Sequence, residues 1–219
     1  MKTDNKDSFV VDMWSAIFRI LGKLSIFELV CWVKKKKLHS DVNYRFIDKW
    51  VIGNSLAAII LSIILFNIKG NCLWLMIIIS TYGFFRVFEV IVYQINLTLF
   101  DSYRAHKKGE EYQVKSIRRI ILLLLHNYVE IMFWYASIML TVAYISDIRV
   151  TTSWIEYITS TILCVATFDR AGLESIISEN LLLMQLAFME IVSGLIMTII
   201  SLARFIGILP TVDEIDKWK

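Results

Sequence analysis

The sequence predicts an all-α membrane protein with about four spanning helices, a short re-entrant helix between the third and fourth, and an interfacial amphipathic helix at the N-terminus. Three observations carry this. The 219-residue chain is 57% hydrophobic and only 20% charged, more apolar than a soluble domain of that size normally is. Its mean hydropathy is +0.62, concentrated in runs long enough to cross a bilayer, which needs about 20 residues per helix. One proline, Pro210, and 8 glycines leave long helices nearly uninterrupted.

Residues 8 to 24 read as the amphipathic helix. At helical spacing Asp12, Arg19 and Lys23 share one stripe. Trp14, Ile17, Phe18, Leu21 and Leu24 share the opposite one. The charges from Asp12 to Glu28 argue against a span and for a helix in the membrane interface. Ser25 and Glu28 have capping-box spacing and mark the start of a second short helix. It ends on Lys34, Lys35, Lys36 and Lys37, a cluster suited to anionic headgroups or simply to anchoring topology. Residues 1–49 form this basic N-terminal segment.

The first span is read as Trp50 to Ile68, followed by a tight turn at Lys69-Gly70-Asn71, and the second as Leu73 to Phe100. Together they make a peripheral hairpin over 50–100. A basic loop over 101–118 leads to the third span, Ile120 to Ile145, and the fourth runs from Leu181 to Leu209. Residues 211–219 form a charged tail. Lysine and arginine gather before the first span and between the second and third. Only Lys69, Arg149 and Arg170 lie on the other side. The basic side faces the cytoplasm, so both termini are expected there, in a multi-pass protein of the cell (plasma or inner) membrane. No cleavable leader is read at the N-terminus.

Ionisable residues at membrane depth normally face protein or water and are paired. Arg86 and Glu89 share a face of the second span, as His126 and Glu130 do in the third. Arg86 and Glu130 are expected at similar depth, about 15–20 Å from the cytoplasmic boundary at 1.5 Å per residue. They are placed to form an ion pair that braces the peripheral hairpin, with a voltage-sensing or proton-relay role as the weaker reading.

Between the third and fourth spans, Ser153 and Glu156 again have capping-box spacing. The apolar run Trp154 to Cys164 is too short to cross about 30 Å of hydrocarbon. It is either a helix that enters from outside and stops partway or an external helix lying on the membrane. In the first case Val165-Ala166-Thr167-Phe168-Asp169-Arg170 must return as non-helical backbone, which lipid forbids unless it is buried in protein or lines water.

A span, a short descending helix, an extended loop and a final span resemble the pore module of potassium channels. Ile155 to Thr161 resembles the pore helix of that family. Gln185 through Gly194 to Ser201-Leu202-Ala203-Arg204-Phe205-Ile206 and Pro210 resembles the inner helix of its bacterial two-helix members. The likeness covers about 119–210. It implies a homotetramer conducting monovalent cations, with Val165, Ala166, Thr167, Phe168 and Asp169 at the selectivity filter. The family's filter reads Thr-Val-Gly-Tyr-Gly. Here Phe168 takes the aromatic place, while Thr167 and Asp169 take the places of the glycines that permit its carbonyl geometry. Potassium selectivity is therefore not carried over. A ring of Asp169 carboxylates or Thr167 hydroxyls would favour cations weakly, unless Arg170 cancels that field. Glu190 either faces the pore cavity or hydrogen-bonds to the pore helix behind the filter. Gly194 is either a gating hinge or a close-packing site.

Cys31, Cys72 and Cys164 have no metal-ligand spacing. No phosphate loop, zinc-protease motif or nucleophile arrangement is present, so no enzyme, cofactor, metal or nucleic-acid role is expected. The leading expectation is passive cation conduction. A non-conducting membrane scaffold, or a partner-binding subunit with a degenerate pore fold, is the alternative. A membrane-perturbing effector is a weaker third.

Overall fold

The computed structural model describes residues 9–38, 44–109, 117–177 and 180–206, and among these every regular element is helical. In chain order they are α1 (Phe9–Lys23), α2 (Ile26–Leu38), α3 (Tyr44–Ile68), α4 (Leu73–Ile95), α5 (Asp101–Lys107), α6 (Ile117–Ile145), α7 (Trp154–Thr167), α8 (Glu174–Ile177) and α9 (Leu181–Ile206). Four stretches are long and apolar enough to cross a membrane: Arg45–Ile68, Leu73–Lys107, Arg118–Ile145 and Leu181–Ile206. The expected exit of the last helix at Pro210, Lys115 in the basic loop and the first eight residues lie outside the described residues.

α6 is the central post. It packs against α3, α4, α7 and α9, and its apolar window is the most enclosed of the four. Small residues let this happen. Gly83 of α4 lies so close to Trp134 that a Cβ there would come within 2.5 Å of the ring. Trp134 is itself wholly buried. Two apolar clusters result. One joins α3, α6, α7 and α9 through Leu65, Met139, Leu140, Tyr157 and Leu183. The other joins α4, α6 and α9 through Val87, Trp134 and Met197.

The second span differs from its expected form. The helix does not stop at Phe100 but continues to Lys107 through one turn of π-helix, Asn96–Phe100, that joins α4 to α5. A π turn frees backbone groups and appears often at functional junctions. Here Asn96 donates to Phe18 O and accepts from Arg104, while Thr98 accepts from Arg204 at the far end of α9.

α1 runs along this extension in the opposite direction. Asp12 pairs with Lys107 and Tyr103 near one end, and Ser25 reaches Glu89 near the other. The hydrogen bonds from Lys107 and Tyr103 hold the Asp12 carboxyl below the usual carboxylate range. This link is therefore complete above the ordinary carboxylate pKa and is lost as pH falls through the lowered value. The apolar stripe of α1, including Ile17 and Ile20 and continued by Leu24 just beyond it, is left exposed.

Candidate functional site

Two constellations of polar residues sit inside the bundle. The first is centred on Arg86. Its Nε lies 2.9 Å and its Nη2 3.1 Å from the two oxygens of Glu130, and its Nη1 lies 2.9 Å from Glu89 Oε2. Trp134 Nε1 also donates to Glu130. All three charged residues are at most 5% exposed. Glu89 has a further role that its spacing did not announce. Its other oxygen accepts from Ser25 Oγ at 2.5 Å and from the Phe27 amide at 2.8 Å. Arg86 thus links α4 to α6, and through Glu89 to the α1–α2 turn. Ser25 was legible only as the cap of α2, and it does also accept from the Glu28 amide.

The second constellation surrounds α7. Ser153 caps this helix by accepting from the Glu156 amide. Tyr157 is buried and its hydroxyl donates to Ala136 O of α6 at 2.7 Å. Tyr157→Phe should cost about 1 kcal/mol, the typical net value of such a bond. A lowered thermal midpoint in detergent, with unchanged helix content, would show it.

At the other end of α7, Val165 packs directly on Gly194 of α9, closely enough that a Cβ at 194 could not fit. Gly194 is therefore a close-packing site in this structure. It lies about 20 Å along α9 from Leu181, at 1.5 Å per residue. Meanwhile Asn180, just before α9, donates to Ser146 at the end of α6, and Gly172 lies against Ser160. After Thr167 the chain thus lies against α7 at Gly172, and by Asn180 it is back at the end of α6.

Two expectations need correction. Val165, Ala166 and Thr167 are not extended backbone: they belong to the last turn of α7, which ends only at Phe168 with φ 55°. Satisfied helical hydrogen bonds suit an apolar run at that depth better than an open strand. The second concerns Glu190. Rather than facing an open cavity it is 0% exposed, and neither carboxylate oxygen has a hydrogen-bond partner among the described residues. The reason is helical phase: Ala187, Glu190, Ser193, Gly194 and Met197 form the buried face of α9. By contrast Thr167, Phe168, Asp169 and Arg170 are exposed, and Arg170 lies 3.8 Å from Glu174.

No family model matches this chain, and no curated protein or solved structure does. Its chemistry must be read from its own residues. No group of histidine, cysteine, aspartate and glutamate suited to a metal occurs among the described residues. A cavity of about 420 Å³ opens between α1, α2, α3 and α4, with Arg86, Glu89 and Asn127 on its inner wall. Of the lysine run, only Lys34 has its side chain among the described residues, with Nζ 3.9 Å from the centre of the Phe46 ring. Lys35, Lys36 and Lys37 have their side chains outside the described residues.

Proposed function

We propose that this chain is one subunit of a homotetrameric, weakly selective cation pore in the cell membrane. The pore is built from α6, α7 and α9, with both termini and the segment 101–118 in the cytoplasm. One observation carries the reading. α7 is anchored on Gly194 deep along α9, while Asn180 is back at the end of α6 and Asp169, Arg170 and Glu174 are exposed. In a membrane this is a re-entrant loop. Charged side chains at that depth must face water or protein rather than lipid. Copies arranged around an axis supply both, and α9 offers them an exposed face that includes Phe188, Leu195 and Ile199. The likeness of 119–210 to the potassium-channel pore module supplies the number four.

The tip then does the selecting. Asp169 Oδ1 accepts from the Ala171 amide and is still exposed, so a ring of these carboxylates would attract cations. The glycine-poor tip lacks a ladder of stacked carbonyls, so discrimination between potassium and sodium is expected to be weak. That same helical continuation through Thr167 favours the second reading, a non-conducting scaffold with a pore-like fold.

Purified protein in planar bilayers under opposed potassium and sodium gradients tests this. The expected result is a reversal potential near zero that shifts in Asp169→Asn. Reversal at the potassium equilibrium potential would overturn the selectivity argument. Silence at every voltage, together with no tetramers on crosslinking in membranes, would leave the scaffold.

Orientation has its own test. Cys72 is exposed at the turn before α4, whereas Cys164 is buried. A membrane-impermeant maleimide added to intact cells should label Cys72 and spare Cys164. Labelling of Cys72 only after lysis would invert the topology.

A further inference from the structure

The cavity between the N-terminal helices and α3–α4 is not used by the pore reading. Its walls are mostly apolar, with Phe18, Leu21, Val51 and Phe88 among them. Its volume of about 420 Å³ falls in the range of ligand pockets. Its inner surface holds polar atoms that no described residue satisfies. Asn127 is 2% exposed and its Oδ1 has no hydrogen-bond partner among the described residues. Trp50 Nε1, a donor, is likewise buried without a partner among the described residues. Leaving such groups unpaired is unfavourable by about 1–3 kcal/mol each, so a ligand carrying both an acceptor and a donor is favoured there.

Charge specifies the rest. Arg19 and Lys23 lie one turn apart on α1, both exposed and both on the cavity wall, and neither has an ion-pair partner among the described residues. Of the other charged groups on the wall, Arg104 and Asp101 neutralise each other at 2.7 Å. Arg86 and Glu89 are paired as well. Glu28 is the remaining acid. The pairing leaves the α1 side net positive and the inner side, with Glu89 and Glu130 around a single arginine, net negative. An anion would therefore be favoured at Arg19 and Lys23 and disfavoured at the deep end, where a neutral hydroxyl suits better.

We propose that this cavity binds a phospholipid headgroup carrying a phosphate and free hydroxyls, of the phosphatidylglycerol type, from the cytoplasmic leaflet. The phosphate lies against Arg19 and Lys23. A headgroup hydroxyl accepts from Trp50 Nε1 and donates to Asn127 Oδ1, while the acyl chains leave along the exposed apolar stripe of α1. The site rests on the orientation proposed above, which places this end of the bundle at the cytoplasmic interface. It does not depend on conduction. It also adjoins the π turn where Asn96 meets α1 and Thr98 meets Arg204 of α9, so an occupant is positioned to influence the end of the last helix.

Native mass spectrometry of the full-length protein in mild detergent, with equal amounts of phosphatidylglycerol and phosphatidylcholine, tests the site. The wild type should retain one phosphatidylglycerol per chain with a preference of roughly thirtyfold, equivalent to about 1 kcal/mol for each of two cations. Arg19→Gln with Lys23→Gln should abolish that preference. Gly22→Leu should abolish retention of both lipids. Gly22 lines the cavity, and a Cβ there meets only Asn96 Nδ2 at 3.5 Å, so a larger side chain fills the space without straining the helix. Gly53→Leu, where a Cβ meets nothing within 4 Å, serves as the control and should bind as the wild type does. Equal retention by wild type, the double variant and Gly22→Leu would overturn the proposal. Displacement of the lipid by millimolar glycerol 3-phosphate would also overturn it, by showing that the site serves a soluble phosphate ester. Because the readout is lipid retention, a silent channel would leave this result intact.

Discussion

Arg86→Leu is expected to destabilise the folded chain by about 3–5 kcal/mol, the range for removing one partner of a buried ion pair. The substitution leaves Glu89 and Glu130 facing each other without a cation, at 5% and 0% exposure. Both would lose the hydrogen bonds from Arg86, at 2.9–3.1 Å. The expected signs are loss of the monodisperse peak on size exclusion in detergent and a large fall in thermal midpoint. The triple variant Arg86→Met, Glu89→Gln, Glu130→Gln should recover most of the loss, because replacing a whole buried network by neutral groups removes the desolvation penalty along with the attraction. If the triple variant is as unstable as Arg86→Leu, the arginine acts through packing beneath Trp50, whose ring centre is 5.8 Å from its guanidinium carbon, and the charge argument fails.

On the proposed pore reading, Gly194→Ala should abolish conduction while leaving the rest of the bundle folded. The added methyl would run into Val165 Cγ1. Val165 is wholly buried and β-branched, with one strongly preferred rotamer in a helix, so it cannot turn aside. α7 must shift, at about 1–3 kcal/mol for overpacking, and Phe168 and Asp169 shift with it. The expected readout is loss of current, with the four-span fold retained by circular dichroism and size exclusion. Val165→Ala placed on Gly194→Ala should restore current, because it removes the clashing methyl. A hinge role for Gly194 predicts the reverse: the second substitution would rescue nothing, since the missing freedom would be in α9 itself. The double variant therefore separates packing from hinging.

How much of this was legible in the chain depends on the range over which each signal acts. Four spans followed from apolar runs of sufficient length, because hydropathy is a local property that needs no partner. The caps at Ser25 and Ser153 followed from three-residue spacings, and both are made. An Arg86–Glu130 contact followed from depth, since two helices entering from one side must match like levels and a lone charge at such depth needs its opposite. Other features left no local trace. The attachment of Glu89 to Ser25 and Phe27 depends on α1 and α2 folding back along α4. The π turn at Asn96–Phe100 lies in an apolar stretch that reads like ordinary helix.

An all-helical chain with four stretches able to cross a membrane, and a short apolar helix between the last two, can be read from local signals, because length and hydrophobicity alone decide what a bilayer accepts. Only the tertiary structure decided which side of each helix meets which neighbour. Glu190 shows the difference: its depth could be counted from the chain, but its burial behind α7 depends on how α9 is rotated about its own axis. Close contacts set that rotation, such as Val165 on Gly194 and Trp134 on Gly83, where the absence of a side chain lets two helices meet. Such fits between residues distant in the chain are settled by packing density, which no single segment carries.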